Sequence, residues 1–522
     1  MSSAADRRAQ RLFDYRRRIE AARVYEVAHI SPLELAPKLS ARIGNQLLLK
    51  REDQQAVHSF KLRGAYNCMA GLSAEQRKRG VITASAGNHA QGVALGAQRM
   101  KLKAWIVMPR TTPSIKVESV KALGGRVVLH GDTYDEAAAH AMKEAEKRGL
   151  SYIPPYDHPD VIAGQGTVAQ EMLRQWPEPI DAVFVPVGGG GLAAGVAAYI
   201  KSVRPSIKVI GVEPSDAACL DAALKAGKRT VLKEVGLFAD GVAVAQIGKE
   251  PWSILQHSID EMVLVDVDEI CAAIQDIFYE NRSMPEPAGA LAVAGAKRWA
   301  AEQGVSGKTL AAVVSGANVN FERLRHIAER AEIGEAHEAL LAVTIDEQPG
   351  SFRQFCKQLG GYSVTEFNYR FTEGGSAHIF VGIRLGDAGD TRAQIVDKLR
   401  DAGYAVADLS SDEIAKVHIR YMVGGRSPGL SDERLFRFEF PERPGALLKF
   451  LNHIGGRWNI SLFHYRNHGA AYGRILVGMQ VPRKEHKACL AVLKEIGYAY
   501  CEETSNPAYA LFLGTVDGAA GG

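Results

Sequence analysis

From about residue 25 to 325, short apolar runs alternate with longer stretches whose apolar residues recur at helical spacing. The runs Gln46–Lys50, Val81–Ala84, Ala104–Met108, Arg126–Leu129, Ala182–Val187, Val209–Val212, Met262–Val265 and Leu310–Val314 predict strands. Helical patterns such as Tyr134–Arg148 and Val168–Gln175 separate several of them. This alternation predicts an α/β region with mostly parallel strands covered by helices on both faces. Ligands of such sheets bind beyond the carboxyl ends of the strands.

From about residue 338 the texture changes and an internal repeat emerges. Ala339–Ile345 followed by Gln348-Pro349-Gly350-Ser351-Phe352 matches Leu435–Phe440 followed by Arg443-Pro444-Gly445-Ala446-Leu447. Each turn opens a helical stretch ending in a pair of glycines, Gly360-Gly361 and Gly455-Gly456. Alternating segments follow, one holding Phe367–Arg370 and the other Phe463–Arg466, and then Ile379–Leu385 and Ile475–Val481. The offset is 95 residues from Pro349 to Pro444 and 96 from Phe367 to Phe463, so one residue is inserted in the second copy. Two copies are too few for a solenoid and fit two tandem β-α-β-β-α-β modules. The expected organisation is a catalytic region over 1–325, a charged helical linker over 326–337, modules over 338–410 and 411–515, and a disordered tail over 516–522.

A length of 522 residues fits two or three domains, and 46% hydrophobic with 23% charged residues is a globular composition. A formal charge of +4 points to neither nucleic acid nor a membrane surface as a partner. The uncharged run from Ala182 to Ile200 is long enough to span a membrane, but Pro186 and four successive glycines break it into strand, loop and helix start. The N-terminus is rich in arginine but lacks an apolar core and carries Asp6, Asp14 and Glu20, so it predicts neither a secretory signal nor a transit peptide. Arg16-Arg17-Arg18 is expected on a solvated helical face. Six scattered cysteines form no metal-type cluster and suit a reducing cytoplasm.

Four motifs carry candidate chemistry. Lys61, in Ser59-Phe60-Lys61-Leu62-Arg63-Gly64, precedes a helical run over Ala65–Leu72. The positive end of that helix, with Arg63 nearby, would depress its pKa and keep a reactive amine. Alone, however, it reads first as a surface lysine at a helix start, since exposed lysines are common. Ser85-Ala86-Gly87-Asn88-His89 lies between a strand and a helical run from Gln91. It offers backbone N–H groups to an anion, or simply caps the helix. Gly188-Gly189-Gly190-Gly191 allows close backbone approach and positive φ, so successive amides can surround a phosphate. It has neither the acidic partner of a dinucleotide fingerprint nor the Gly-Lys-Ser/Thr of a P-loop. Ser315 ends a strand, where its hydroxyl can meet a ring nitrogen or cap the strand. The segment Pro154–Pro159 holds an Asp-His pair, but its prolines read as a rigid loop without a nucleophile.

Taken in order, a lysine, a glycine cradle and a serine fit an aldehyde cofactor with a phosphate and a ring nitrogen, which is pyridoxal phosphate. With Ile162–Thr167 and Ser315–Phe321, these motifs resemble the biosynthetic threonine deaminases (threonine ammonia-lyases, or threonine dehydratases) of the tryptophan-synthase-β-like group. The resemblance runs from about Tyr25 to Leu513. It implies the type II pyridoxal phosphate fold followed by ACT-like α+β regulatory modules. It further implies that Lys61 forms the Schiff base, Phe60 lies against the ring and Asn88 bonds the ring's 3-hydroxyl. Gly188, Gly189, Gly190, Gly191 and Leu192 would hold the phosphate, and Ser315 would face the pyridine nitrogen. Ser85, Ala86, Gly87, Asn88 and His89 would receive the substrate carboxylate.

The implied reaction is conversion of L-threonine to 2-oxobutanoate and ammonia, with Lys61 removing the Cα proton and L-serine as a second candidate substrate. Similar serine racemases carry an acid/base serine where Ala86 stands, so Ala86 favours elimination over racemisation. They also hold a divalent metal after a Glu-Pro-Ser motif. Here Glu213-Pro214-Ser215 is followed by Ala218-Cys219 where carboxylates are expected, and no metal is predicted. The paired modules imply inhibition by isoleucine opposed by valine, and the resemblance implies a homotetramer. The segments Phe367–Arg370 and Phe463–Arg466 are candidates for the effector site. Two other readings are a related lyase or β-replacement enzyme, such as a serine dehydratase or cysteine synthase, and a non-catalytic amino-acid sensor.

Overall fold

The fold is described from a computed structural model of the chain. It describes residues 4–334, 338–346, 354–355, 358–359, 362, 364–369, 376–385, 391–421, 432–441, 449–450, 453–454, 457–466 and 472–513. The two Pro-Gly turns, both glycine pairs, Arg370, Cys356 and the C-terminal tail lie outside those residues. The chain divides into two units, Met1–Ile327 and Ala328–Gly522.

The first unit contains two sheets. Strands β1 (Leu33–Leu35), β2 (Gln46–Arg51), β7 (Ala182–Pro186), β8 (Lys208–Pro214), β9 (Glu261–Val265) and β10 (Thr309–Val314) form a six-stranded sheet. Its order is β1-β2-β10-β7-β8-β9, and only β1 runs antiparallel to its neighbour. Strands β3 (Val81–Ala84), β4 (Ala104–Met108), β5 (Arg126–Leu129) and β6 (Ser151–Tyr152) form an all-parallel sheet in the order β5-β4-β3-β6. Its inner strands are buried apart from a partly buried Trp105, as sheets covered on both faces require. The run that was long enough for a membrane span is β7, a glycine turn and the helix Gly191–Val203. Among the described residues no helix is long and apolar enough to cross a membrane.

The arginine-rich N-terminus is the helix Ala4–Glu20. Tyr15 and Ile19 enter the larger core, while a half-buried Arg16 and an exposed Arg18 form ion pairs with Glu20 and Asp160. The segment predicted as a helical linker is the helix Leu324–Gly334, which begins before His326.

The second unit repeats one topology. Strands β11 (Glu338–Asp346), β12 (Val364–Tyr369), β13 (Ser376–Arg384) and β14 (Ala405–Asp408) form an antiparallel sheet in the order β12-β13-β11-β14. Strands β15 (Glu433–Pro441), β16 (Asn459–Arg466), β17 (Tyr472–Gln480) and β18 (Ala499–Glu502) repeat it as β16-β17-β15-β18. Each sheet has its own apolar core, one around Phe355, Val381 and Leu399 and the other around Phe438, Phe450 and Leu493. A third cluster joins the modules through Leu340 and Phe380 of the first and Leu435 and Leu476 of the second.

Candidate active site

The register of β2 beside β10 brings together segments far apart in sequence. Beyond the strand ends an isolated antiparallel bridge joins Ser59 and Gly316. Phe60 N–H donates to the Ser315 carbonyl at 3.2 Å, and Ala317 N–H donates to that of His58 at 2.8 Å. The helix that follows is Lys61–Ala70, so Lys61 is its first residue rather than a residue four positions ahead of it. The lysine ammonium donates to the Pro155 carbonyl at 3.2 Å and lies 5.3 Å from the centre of the Phe60 ring.

Burial pushes the Lys61 amine down to about 8, against the opposing charge of Glu286. The expected contribution of Arg63 is corrected here. Arg63 is fully buried, and its guanidinium is matched by Glu52 at 2.8 Å and Glu171 at 2.6 Å. Its charge is therefore offset where it sits, and desolvation does the work at Lys61.

The glycine motif leaves β7 and enters the helix Gly191–Val203. Gly190 has φ +90°, a conformation that side chains resist. A Cβ on Gly189 would lie 2.3 Å from the Tyr156 ring, so the ring packs directly on bare backbone. Tyr156 belongs to the proline-rich loop that the sequence marked as rigid and without a nucleophile. Rigidity it has: the Asp157 carboxylate accepts from Lys249 and Glu250 N–H at 2.8 and 2.7 Å. It also reaches the site, through the Pro155 carbonyl on Lys61 and the Tyr156 ring in the cavity lining.

Asn88 opens the helix Asn88–Met100, three residues earlier than the predicted helical run. Its Nδ2 donates to Glu286 Oε1 at 2.5 Å and its Oδ1 accepts from Asn318 Nδ2 at 2.5 Å. The Ser85–Gly87 loop is half-buried, with Gly87 N–H on Ser85 Oγ at 3.3 Å. The His89 ring turns away from this loop onto the Ile153 carbonyl, 3.0 Å from Nε2. Burial, helped by the Lys61 charge, pushes it down to about 3, so it is a neutral imidazole. Ser315, 4% exposed, donates its hydroxyl to the Ala288 carbonyl at 3.2 Å.

Lys61, Phe60, Asn88, Gly188 to Leu192 and Ser315 line one cavity, together with Tyr156, Gly241, Val242 and Glu286. An amine whose charge is disfavoured, a cradle of bare amides at a helix N-terminus and a strand-end hydroxyl form a donor set that fits pyridoxal phosphate. Among the described residues no group of His, Cys, Asp and Glu could hold a metal ion. Glu213, from the Glu-Pro-Ser motif, caps a helix: its two oxygens accept from Leu220 and Asp221 N–H at 2.8 and 3.0 Å.

The fold and the cavity define a pyridoxal-phosphate-dependent catalytic domain. The family described as "Pyridoxal-phosphate dependent enzyme" matches residues 26–316. The family described as "C-terminal regulatory domain of Threonine dehydratase" matches 329–419 and again 424–513. The biosynthetic L-threonine dehydratase IlvA of Burkholderia multivorans is 58% identical over 503 residues, 96% of this chain and 99% of that protein. The Escherichia coli protein of the same name is 55% identical over 501 residues, 96% of this chain and 97% of its own. The solved structure of processed threonine deaminase isoform 2 from Solanum lycopersicum is 53% identical with a TM-score of 0.61, covering 62% of this chain and 94% of that one. The chain belongs to the pyridoxal-phosphate-dependent enzymes and, within them, to the biosynthetic threonine dehydratases.

Proposed function

We propose that this chain is a threonine ammonia-lyase that converts L-threonine to 2-oxobutanoate and ammonia. The observation that carries the reading is a single cavity joining the Lys61 amine, the Gly188–Leu192 cradle and Ser315. When bound, the cofactor supplies an electron sink for the substrate's Cα. Lys61 would anchor its aldehyde and then, freed by substrate, take the Cα proton at Nζ. A lysine held near 8 is a free amine often enough near neutral pH to do so. The cradle N–H groups and Leu192 would hold the phosphate, Asn88 the ring oxygen and Ser315 the ring nitrogen. Ser315 is a neutral partner, so it leaves the ring less cationic than an aspartate would, which favours prompt loss of the β-hydroxyl. Phe60 packs beside the lysine and excludes water. The Ser85–His89 segment would receive the substrate carboxylate through its backbone N–H groups, since the His89 ring is engaged elsewhere.

The tandem modules would bind isoleucine as an inhibitor and valine as its antagonist, in a cytoplasmic homotetramer. The committed step of isoleucine synthesis is the place for such control. Keto-acid formation from threonine, serine and O-acetylserine, with and without isoleucine, tests this. Absence of keto acid from threonine would refute the assignment.

A further inference from the structure

Glu286 is the residue of this cavity whose role the sequence did not announce. It is the N-cap of the helix Pro287–Gln303, yet its side chain caps no N–H of that helix. Its backbone N–H is instead tied to the Gly316 carbonyl at 3.0 Å. Its carboxylate, on a residue 4% exposed, accepts from Asn88 Nδ2. Unlike Glu52 or Glu171, it forms no ion pair with a lysine or arginine among the described residues.

The orientation of Asn88 follows from its neighbours. Asn318 Nδ2 donates to the Val57 carbonyl at 2.8 Å, which fixes the Asn318 amide. Its other N–H meets Asn88 Oδ1, which fixes the Asn88 amide in turn. Asn88 then has two N–H bonds left. One is taken by Glu286, and the second remains for the cavity that both residues line.

We propose that Glu286 is a positioning residue that aims this second Asn88 N–H at the cofactor's ring oxygen, and that the charge on Glu286 and the charge on that oxygen oppose each other. The inference rests on the cofactor site described above. Two anionic oxygens bridged by one amide repel, so the site is more comfortable with one proton between them. The groups facing Glu286 agree. Asp240, on the turn beside Gly241, adds negative charge, while Lys116 and Arg323 offset it and Lys61 faces it from the start of its own helix. Burial first and Asp240 second raise the Glu286 carboxyl to about 7, so it changes charge near neutral pH.

The test is the visible absorption of the holoenzyme as a function of pH, which reads the cofactor and not turnover. In the unaltered protein the band is expected to change with a midpoint near 7. Glu286→Gln keeps an oxygen for Asn88 Nδ2 and should retain the yellow cofactor but lose that transition. Glu286→Ala removes the acceptor and should also weaken cofactor binding by roughly 5-fold, the effect of one net hydrogen bond. A wild-type band that is constant from pH 5.5 to 8.5, or a Glu286→Gln band that titrates as wild type does, overturns the proposal. Colour that survives Lys61→Ala would instead overturn the assignment of the cofactor site itself.

Discussion

Beneath Lys61 lies a buried ionic cluster that makes a quantitative prediction. Lys50, Arg63 and Glu52 are 0% exposed, and Glu171 is 2% exposed. Glu171 accepts from Lys50 at 2.7 Å and from Arg63 at 2.6 Å, and Glu52 accepts from Arg63 at 2.8 Å. Two cations face two carboxylates. Glu171→Gln leaves two cations facing one carboxylate, and breaking such a pair from one side costs about 3–5 kcal/mol. For the unit Met1–Ile327, an unfolding entropy of about 0.7 kcal/mol per kelvin converts this to a loss of roughly 4–7 °C in Tm. The loss should also depend on pH. Burial lowers the Lys50 pKa, and Glu52 and Glu171 act to raise it. Without Glu171 it falls further, so the folded variant sheds a proton that the unfolded chain still binds. Stability rises with pH wherever the unfolded state binds more protons. The Tm gap between variant and wild type, followed by scanning calorimetry of the holoenzyme, should therefore narrow as pH rises. A gap below about 1 °C at pH 6.5, or one that widens with pH, would refute the reasoning.

Gly189→Ala should weaken cofactor binding by about tenfold or more, because its Cβ meets a Tyr156 ring that Asp157 holds in place and overpacking of this kind costs about 1–3 kcal/mol. Adding Tyr156→Ala should restore part of the affinity in a cofactor titration. Glu413 accepts from Arg330 and Arg474, and these cations hold its carboxyl down at about 2 although burial pushes it up. A depressed carboxyl contributes stability at neutral pH that disappears as pH falls from its ordinary value towards about 2. Glu413→Gln should lower the unfolding temperature of the C-terminal unit at pH 7, and the difference from wild type should shrink in acid. A gap unchanged between pH 7 and pH 3 would count against that pairing.

Some of this was legible because local and long-range demands agree. The strands Val81–Ala84, Ala104–Met108 and Arg126–Leu129 appear at the predicted bounds, each a dense apolar run flanked by turn residues. The repeat was legible because both modules send the same alternating positions into their own cores, Ile379, Val381 and Ile383 of β13 and Ile475, Val477 and Met479 of β17. The start of the Lys61 helix was obscured by Arg63 and Gly64, which break the apolar pattern yet are buried. Arg63 is inside because two carboxylates meet it, and Gly64 is there because Gln165 Nε2 lies 2.4 Å from where a Cβ would be. Edge elements as short as Leu33–Leu35 and Ser151–Tyr152 carry too little pattern to be read. Glu286 was invisible for a different reason. Its contact with Asn88 spans 198 residues, so no local pattern reports it.

The central claim is that Lys61 runs a threonine-deaminating reaction that the C-terminal modules regulate. The most direct measurement is 2-oxobutanoate release from L-threonine by the full-length holoenzyme and by Lys61→Ala, each with and without isoleucine. The account predicts turnover by the holoenzyme that isoleucine suppresses, and none by Lys61→Ala. No keto acid from threonine, or turnover that survives Lys61→Ala, would contradict the catalytic half. Turnover indifferent to isoleucine would contradict the regulatory half.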